Sequence, residues 1–293
     1  MNGRVTVVVG GTSGIGLATA RQLGGHGDTV ILVARAGAAL AAARAVVEAA
    51  GGTHVHTIPA DVNDRDELQA MVEEVVAVHG RIDALVHTAT VMAYGTIQQM
   101  PAKVFDTVVD TAIHGTANLA RAVLPVMRRQ GRGTFVIVNS LLGSITVPAM
   151  GAYATSKWGQ RAVARTLQQE LRDARHVNVC MVSPGSINTP IYYQAANYTG
   201  RDARPPVPVL QPEVVAAVIA RLLDHPRKHV SVPVGPMNPI IIIGYRLMPW
   251  IFDRIVTPLF RLAALTTQRD PGTGSVLEPD ASKEREYGRW PDR

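Results

Sequence analysis

Short runs of β-branched apolar residues alternate with longer, Ala-rich amphipathic segments over the first four-fifths of the chain. The apolar runs predict strands at residues 5–9, 29–34, 54–58, 84–87, 134–139, 177–182 and 229–234. The segments between them predict helices near residues 15–23, 38–50, 65–79, 103–129, 152–172 and 212–223. Such alternation implies right-handed crossovers, parallel strands and helices on both faces of the sheet. The pattern therefore predicts an α/β fold with a doubly wound, seven-stranded parallel sheet.

Three stretches depart from this alternation. Residues 190–212 carry several tyrosines and prolines without a clear period, and we interpret them as a substrate loop within a domain spanning residues 1–236. Residues 237–266 are strongly apolar but interrupted by Pro249 and Pro258, which predicts a helical extension of short amphipathic helices. Residues 267–293 are polar and charged, with Pro and Gly, which predicts a flexible tail.

The apolar extension leaves three uses open. It covers the substrate pocket, joins a subunit interface, or lies on a bilayer surface as a peripheral contact, in that order of preference. No apolar run reaches the roughly 18 uninterrupted residues expected of a membrane-spanning helix. We therefore expect contact with a membrane surface at most.

Charge and cysteine content narrow the function classes. The net charge of +6 comes from scattered basic residues, which leaves compositional bias, a polyanionic cofactor and a membrane surface as its causes. Without interleaved aromatic residues we expect no nucleic-acid groove. The single cysteine, Cys180, excludes an intramolecular disulfide and a cysteine-based metal cluster, and we predict no metal site. No signal peptide is visible, so we expect a cytoplasmic protein.

A glycine-rich turn follows the first predicted strand and opens the first predicted helix. A helix N-terminus offers free backbone N–H groups to a pyrophosphate, and glycines let the phosphates approach the backbone. Its position at residue 10 favours nucleotide binding over a purely structural turn. The candidate cofactor-binding residues of this Rossmann-type turn are Gly10, Thr12, Ser13, Gly14, Ile15 and Gly16.

The end of the second strand indicates which dinucleotide binds. An acidic side chain there would hold the ribose 2′-hydroxyl of NAD, whereas this chain has Ala34 followed by Arg35. The Arg35 guanidinium offers a fork of donors to a 2′-phosphate, although a solvated arginine at a strand end is the simpler alternative. We therefore predict NADP as the cofactor.

Candidate catalytic residues lie near the fifth strand and the helix after it. Tyr153 and Lys157 are four residues apart and share one helix face, so the ammonium is expected to lower the pKa of the phenol. Ser140, at the end of the preceding strand, can polarise a substrate carbonyl. A tyrosine and a lysine four residues apart are common in proteins. Here they follow a predicted nucleotide-binding turn and a serine at a strand end, and this order along the chain favours a catalytic role.

Taken together, these motifs resemble the short-chain dehydrogenase/reductase family in its main single-domain branch, over roughly residues 5–234. The glycine turn matches through Gly10, Gly14 and Gly16, although Val9 replaces the usual threonine. The resemblance implies that Ser140, Tyr153 and Lys157 form the catalytic trio. It also implies that this chain folds and acts as members of the family do.

Further positions gain cofactor-binding roles from the resemblance alone. Asp61 and Val62 match the pair that contacts the adenine in the family. Residues 183–190 match the segment around the nicotinamide, with the carboxamide contacts at Ile187 and Thr189 and with Pro184 and Gly185 beside them.

Two departures from the family pattern stand out. Where the family commonly reads Asn-Asn-Ala-Gly, this chain reads His87-Thr88-Ala89-Thr90 and keeps only Ala89, another candidate cofactor contact. The asparagine that holds a proton-relay water in the family is replaced by Ala112. Thr111 and His114 lie close in sequence, but on a helix neither points where residue 112 does.

The sequence thus predicts an NADP(H)-dependent oxidoreductase that interconverts a ketone or aldehyde with an alcohol on a lipophilic small molecule. The apolar, Tyr-containing loop and the apolar extension favour that substrate class. Two alternatives remain: a non-catalytic NADP-binding sensor or scaffold, and an isomerase or lyase of the same family. By resemblance, the long helices at residues 103–129 and 152–172 imply a homodimer or homotetramer.

Overall fold

The computed structural model describes residues 3–226 and 230–290, without the side chains of residues 261–264. Its main sheet has seven parallel strands: β1 (Val5–Val9), β2 (Thr29–Ala34), β3 (Val55–Pro59), β4 (Ala84–His87), β6 (Gly133–Val138), β7 (Val177–Pro184) and β10 (Ser231–Val234). Their order across the sheet is β10-β7-β6-β4-β1-β2-β3. The predicted doubly wound sheet is therefore confirmed.

Helices cover both faces of this sheet. In the main domain they are α1 (Gly14–Gly25), α2 (Gly37–Ala49), α3 (Arg65–His79), α4 (Ala102–Gln130), α5 (Gly151–Glu170), α6 (Ile191–Gln194) and α7 (Pro212–Asp224). Helix α3 shows how local sequence fixes an end. The Asp64 carboxylate accepts hydrogen bonds from the backbone N–H groups of Asp66 and Glu67, and Gly80 ends the helix in the left-handed conformation.

Most predicted elements end within two residues of the observed ones. The strand predicted at residues 54–58 lies at Val55–Pro59, and the one at 134–139 lies at Gly133–Val138. The last predicted strand begins at residue 229, outside the described residues, and the observed strand begins at Ser231. Boundaries shift because side-chain periodicity marks the middle of an element better than its ends.

The core forms two layers because strand residues alternate between the faces of the sheet. All five residues of β1 are buried, and Val7 packs with Leu85 and Leu119 on one face. Val8 packs with Leu17 and Leu32 on the other face. A strand covered on both faces has no polar side, which explains its continuous apolar sequence.

Short strands join the loops beyond the main sheet. The pair β5 (Ala93–Tyr94) and β8 (Ala196–Asn197) is parallel, whereas β9 (Arg201–Ala203) and β11 (Leu265–Gln268) are antiparallel. The substrate loop predicted at residues 190–212 thus contains α6 and two of these strands. The sequence showed no period there because each element is only two to four residues long.

Two helices, α8 (Asn238–Leu247) and α9 (Pro249–Ala264), occupy the apolar extension. Their inner residues Phe252 and Phe260 line the cavity described below, while Leu247 and Trp250 are exposed. Within residues 3–226 and 230–290, no helix combines the length and apolarity that crossing a membrane requires. After β11 the chain returns to the main domain, with a short helical turn at Ala281–Lys283.

Candidate active site

The glycine turn between β1 and α1 has no room for side chains. A Cβ atom on Gly10 would lie 2.6 Å from the backbone nitrogen of Ala89, and one on Gly16 would lie 2.1 Å from the Gly10 carbonyl oxygen. Gly10 and Gly14 also have positive φ angles of 82° and 49°. The turn therefore packs tightly against β4 and the start of α1, and its residues line a cavity at the N-terminus of α1, where a pyrophosphate would bind.

That cavity, of about 600 Å³, lies at the carboxyl ends of the strands. Its lining brings every candidate site residue together: Gly10, Thr12, Ser13, Gly14, Ile15, Gly16, Arg35, Asp61, Val62, Ala89, Ser140, Tyr153, Lys157, Pro184, Gly185, Ile187 and Thr189. Their roles remain predictions, but their assembly in one cleft is what a dinucleotide site requires. The fit to a dinucleotide rests on the glycine cradle and on this continuous lining.

At one end of the cavity, Arg35 follows β2 and is exposed on the rim. Asp61 follows β3, the strand next to β2, and its side chain accepts a hydrogen bond from the backbone N–H of Asn63 at 2.9 Å. The Val62 carbonyl accepts one from the Asn118 amide at 3.1 Å. These bonds fix the loop that the family resemblance places beside the adenine.

The catalytic candidates lie at the centre of the cavity. Ser140 begins the turn after β6, where its hydroxyl accepts a hydrogen bond from the Leu142 N–H at 3.2 Å, and it lies close enough to Tyr153 to favour the charged form of the phenol. Tyr153 and Lys157 lie one turn apart on α5, with the lysine Nζ 5.6 Å from the centre of the tyrosine ring. Lys157 is buried, and its Nζ donates to the Val138 carbonyl at 3.2 Å and to the Gln160 side-chain oxygen at 3.1 Å.

The expected lowering of the Tyr153 pKa by Lys157 is wrong for this structure. Burial raises the pKa of the Tyr153 phenol well above its usual range, and Tyr192 raises this pKa further, while the nearby Ser140 acts in the opposite direction. Burial also lowers the pKa of Lys157 to about 7. Desolvation therefore outweighs the ammonium, and Tyr153 is a protonated phenol near neutral pH.

The segment after β7 closes the other side of the cavity. The Gly185 N–H donates to the Val234 carbonyl at 2.9 Å, and the Thr189 N–H donates to the Ile187 carbonyl at 2.8 Å. A Cβ on Gly185 would lie 2.9 Å from the Asn238 side-chain oxygen, so α8 packs directly on this segment. The backbone that the resemblance places around the nicotinamide is thus fixed by two neighbouring elements.

The departures from the family pattern have structural consequences. Thr88 ties β4 to the glycine turn, because its hydroxyl lies 2.9 Å from the Val9 carbonyl and 3.0 Å from the Gly10 carbonyl. His87 is fully buried, and burial next to Lys157 lowers its pKa to about 3. Its imidazole is therefore neutral at physiological pH.

Neither sequence neighbour replaces the side chain missing at Ala112. His114 is exposed and its Nδ1 lies 2.8 Å from the Asp110 carboxylate, while the Thr111 hydroxyl donates to the Thr107 carbonyl at 2.8 Å. Ala112 itself is completely buried in α4.

Sequence reasoning missed several residues of the cavity. Tyr192, Met150 and Phe260 pack with Tyr153 in one apolar cluster. The side-chain oxygen of Gln160 accepts a hydrogen bond from Lys157. Gln160 could have been predicted from the sequence, because it lies three residues after Lys157 and therefore on the same helix face. Met150 immediately precedes α5, whereas tertiary packing brings in Tyr192 from α6 and Phe260 from α9, which no local pattern shows.

A doubly wound sheet with a cleft at the carboxyl ends of its strands is the architecture of dinucleotide-dependent oxidoreductases. Residues 4–198 match the short chain dehydrogenase family, and this chain belongs to that family of nicotinamide-dependent oxidoreductases.

Similar proteins extend the likeness beyond the matched region. A protein of Thermotoga maritima named 3-oxoacyl-[acyl-carrier-protein] reductase FabG is 31% identical over 79% of this chain and 94% of its own. The structure of levodione reductase superposes with a TM-score of 0.72 at 26% identity, over 81% of this chain and 98% of that one. A metagenomic short-chain oxidoreductase in complex with NADP has a TM-score of 0.66 at 30% identity, over 80% and 96%.

Proposed function

We propose that this protein is an NADP(H)-dependent reductase that interconverts a ketone or aldehyde with an alcohol on a lipophilic small molecule. The observation that carries the proposal is that Ser140, Tyr153 and the buried Lys157, whose Nζ lies 5.6 Å from the centre of the Tyr153 ring, line the same cavity as the glycine turn. This arrangement holds a proton donor and a polarising hydroxyl at one point of a cleft shaped for a dinucleotide.

Each residue of the trio has a distinct task. Tyr153 donates its proton to the carbonyl oxygen of the substrate, and its raised pKa keeps that proton available at neutral pH. Ser140 hydrogen-bonds the same oxygen and stabilises the negative charge that develops there. Lys157 orients the nicotinamide ribose. When bound in this cavity, NADPH would supply the hydride.

The preference for NADP over NAD rests on the end of β2. Arg35 is exposed on the cavity rim, and Ala34 provides no acceptor for a ribose 2′-hydroxyl. A guanidinium there pairs with a 2′-phosphate through charge-assisted hydrogen bonds. The similar metagenomic oxidoreductase was solved with NADP, which supports the same choice.

The lipophilic substrate is inferred from the lining beyond Tyr153. That end of the cavity is formed by apolar side chains from four regions of the chain: Met92, Leu142, Ile145, Val147, Met150, Ile241, Met248, Ile251, Phe252, Leu259 and Phe260. Such a surface binds an apolar group by removing it from water. The inner faces of α8 and α9 provide much of it, so covering the pocket is the first use of the extension.

The outer face of the extension is proposed as a contact surface. Ile240, Leu247 and Trp250 are more than 60% exposed, and Arg246 lies beside them. Exposed apolar residues with a nearby cation suit a second subunit or, as a peripheral contact, a bilayer surface. The proposed place of action is the cytoplasm, and a peripheral membrane contact through this face is the alternative to a subunit interface.

The experiment follows NADPH oxidation against a panel of lipophilic ketones. Tyr153→Phe is expected to lower kcat by about 10²–10⁴-fold, the range for losing a general acid. Tyr245→Phe is the matched control, because its hydroxyl pairs with Thr146 outside the cavity lining.

Three outcomes distinguish the alternatives. Turnover that survives Tyr153→Phe contradicts the proposed mechanism. NADPH binding without oxidation against any carbonyl supports the non-catalytic sensor or scaffold. Conversion of a substrate without net NADPH consumption supports the isomerase or lyase.

A further inference from the structure

A buried amide joins Lys157 to the helix that lacks the family asparagine. Gln160 is fully buried on α5. Its side-chain oxygen accepts hydrogen bonds from Lys157 Nζ at 3.1 Å and from the Asn139 amide at 3.1 Å. Its amide nitrogen donates to the Thr116 hydroxyl at 3.0 Å. Every polar atom of this side chain therefore has a partner.

The chain of hydrogen bonds continues into α4. The Thr116 hydroxyl donates to the Ala112 carbonyl at 2.6 Å. Position 112 is thus connected to Lys157 through Thr116 and Gln160, although its own side chain is a methyl group. The amide group between α4 and α5 therefore belongs to Gln160 on α5, and not to an asparagine at position 112 on α4.

The contact matters because Lys157 is buried. Burial opposes its charge and lowers its pKa to about 7, so each acceptor on the ammonium shifts the balance between charged and neutral forms. Among the residues that the structure describes, the Gln160 oxygen and the Val138 carbonyl accept hydrogen bonds from its Nζ. The titratable groups facing Lys157 are the neutral His87 from β4 and the phenol of Tyr153 on α5.

We propose that Gln160 is a positioning residue that holds Lys157 charged and oriented toward the cofactor. It takes the place of the asparagine that the family resemblance expects at position 112. The proposal deepens the proposed function, because it assigns a residue to the same site. Its central claim concerns Lys157 alone and is testable without a substrate.

The chain has only four lysines, at positions 103, 157, 228 and 283, so Lys157 can be titrated directly. Carbon-13-labelled lysine gives one Cε signal for each, and Lys157→Met identifies the signal of interest. In the Gln160→Met variant the pKa of Lys157 is expected to fall by about one unit, the scale of a charge-assisted hydrogen bond. In Gln160→Glu, which keeps the shape, it is expected to rise.

Gln168→Met is the matched control. Gln168 is another buried glutamine of α5, and its amide donates to the Val179 carbonyl at 2.9 Å, about three turns beyond Lys157. This variant is expected to destabilise the fold while leaving the Lys157 titration unchanged. An unshifted Lys157 signal in Gln160→Glu, or equal shifts in Gln160→Met and Gln168→Met, overturns the proposal. If Gln160→Met does not fold, Gln160→Glu decides alone.

Kinetics separate this proposal from the proposed function. The pH dependence of kcat/KM for NADPH is expected to move with the Lys157 pKa in each variant. A shifted NMR titration without any NADPH-dependent turnover leaves Gln160 as the partner of Lys157 but contradicts the reductase function.

A separate observation concerns the segment at residues 283–290, which lies on the glycine turn. The Arg285 carbonyl accepts a hydrogen bond from the Gly14 N–H at 2.9 Å, and the Glu284 carboxylate accepts one from the Thr12 hydroxyl at 3.2 Å. Glu286 pairs with Arg21 at 2.8 Å. Residues 283–290 therefore accept hydrogen bonds from the same donors of the glycine turn that we propose bind the pyrophosphate.

The end of the segment is anchored on the opposite wall. The Trp290 N–H donates to the Asn188 side-chain oxygen at 3.1 Å, and the indole packs edge-on against the ring of Tyr192. A carboxylate next to phosphate groups is repelled by like charge. From these contacts we infer that residues 283–290 compete with the cofactor and leave the glycine turn when NADPH binds.

Gly288 allows the segment to be displaced in the full chain. A Cβ there would lie 2.7 Å from the Asn188 side-chain oxygen and 2.8 Å from the Thr189 carbonyl, so Gly288→Val forces the segment away. Gly272→Val is the control, because no atom lies within 4 Å of its Cβ position. Gly288→Val and Glu284→Gln are expected to tighten NADPH binding by about tenfold and threefold, the scale of one or two released contacts.

This inference rests on the proposed cofactor, and calorimetry with NADPH separates the two. Unchanged affinity in Gly288→Val overturns the competition. Weaker affinity also overturns it, because the segment then closes over the bound cofactor. No binding by any of the four proteins contradicts the proposed cofactor itself.

Discussion

Arg35 is exposed at the end of β2, and no hydrogen bond or ion pair is described for its side chain in this structure. Under the proposed function its contribution comes from a contact with the 2′-phosphate of NADPH. Arg35→Ala is therefore expected to weaken NADPH binding by about 1–3 kcal/mol, the range for a charge-assisted contact, and to leave NADH binding almost unchanged. Isothermal titration with both cofactors checks this. Equal losses for both, or tighter NADH binding by the native protein, would contradict the NADP assignment.

Ala112 is completely buried, and its carbonyl already takes part in the chain that leads to Gln160. Ala112→Asn is expected to give no gain in turnover and to cost about 1–3 kcal/mol through crowding, as measured by denaturant unfolding. In the double variant Ala112→Asn/Gln160→Ala, the smaller side chain on α5 leaves room for the asparagine amide on α4. The double variant should therefore have a higher turnover than Gln160→Ala alone. A five- to tenfold gain from Ala112→Asn alone, about 1 kcal/mol, would mean that Gln160 does not fill this role.

His87 gives the stability of the fold a specific dependence on pH. Its pKa is about 3 in the folded protein and near the usual value of 6.5 in the unfolded chain, so the unfolded state binds a proton first as pH falls. The free energy of unfolding should therefore drop by up to about 1.4 kcal/mol per pH unit below 6.5. His87→Leu should remove that part of the slope in urea titrations, whereas the exposed His176→Leu should not. Equal slopes in the native protein and His87→Leu would contradict this.

Secondary-structure elements were the most predictable part of the molecule. The apolar run of β1 and the long amphipathic pattern of α4 carry a period over many residues, so the sequence determines their type and approximate length. Motif residues such as Tyr153 and Lys157 were equally accessible, because their spacing is local. The pKa of Tyr153 was not, since it depends on burial beneath Tyr192 and Phe260, which other elements bring in. Residues 283–290 could not be predicted for the same reason, whereas the spacing of Gln160 from Lys157 was a local signal.

Helix α9 allows the two faces of the extension to be tested separately. Phe260 is buried in the cluster that contains Tyr153, whereas Trp250 is 73% exposed. Phe260→Ala is expected to destabilise the protein by about 3–5 kcal/mol and to raise KM for lipophilic ketones. Trp250→Ala should leave both quantities unchanged but reduce sedimentation with anionic phospholipid vesicles if the outer face contacts a bilayer. A Phe260→Ala protein with native KM would contradict a role for α9 in the substrate pocket.

The surface of α5 bears on the assembly of the whole molecule. Ala162 and Thr166 are exposed on this helix, while Val163 and Leu167 beside them are half-buried. A stripe of small and apolar side chains on a long helix fits a helix-to-helix contact between copies. We therefore expect a dimer or tetramer in light scattering at micromolar concentration.

Ala162→Arg places a charge in that stripe and should shift the protein toward monomers, because burying an unpaired charge is costly. Val78→Arg, at an exposed position of α3, is the control and should leave the mass unchanged. A native protein that is monomeric at this concentration would contradict the predicted assembly.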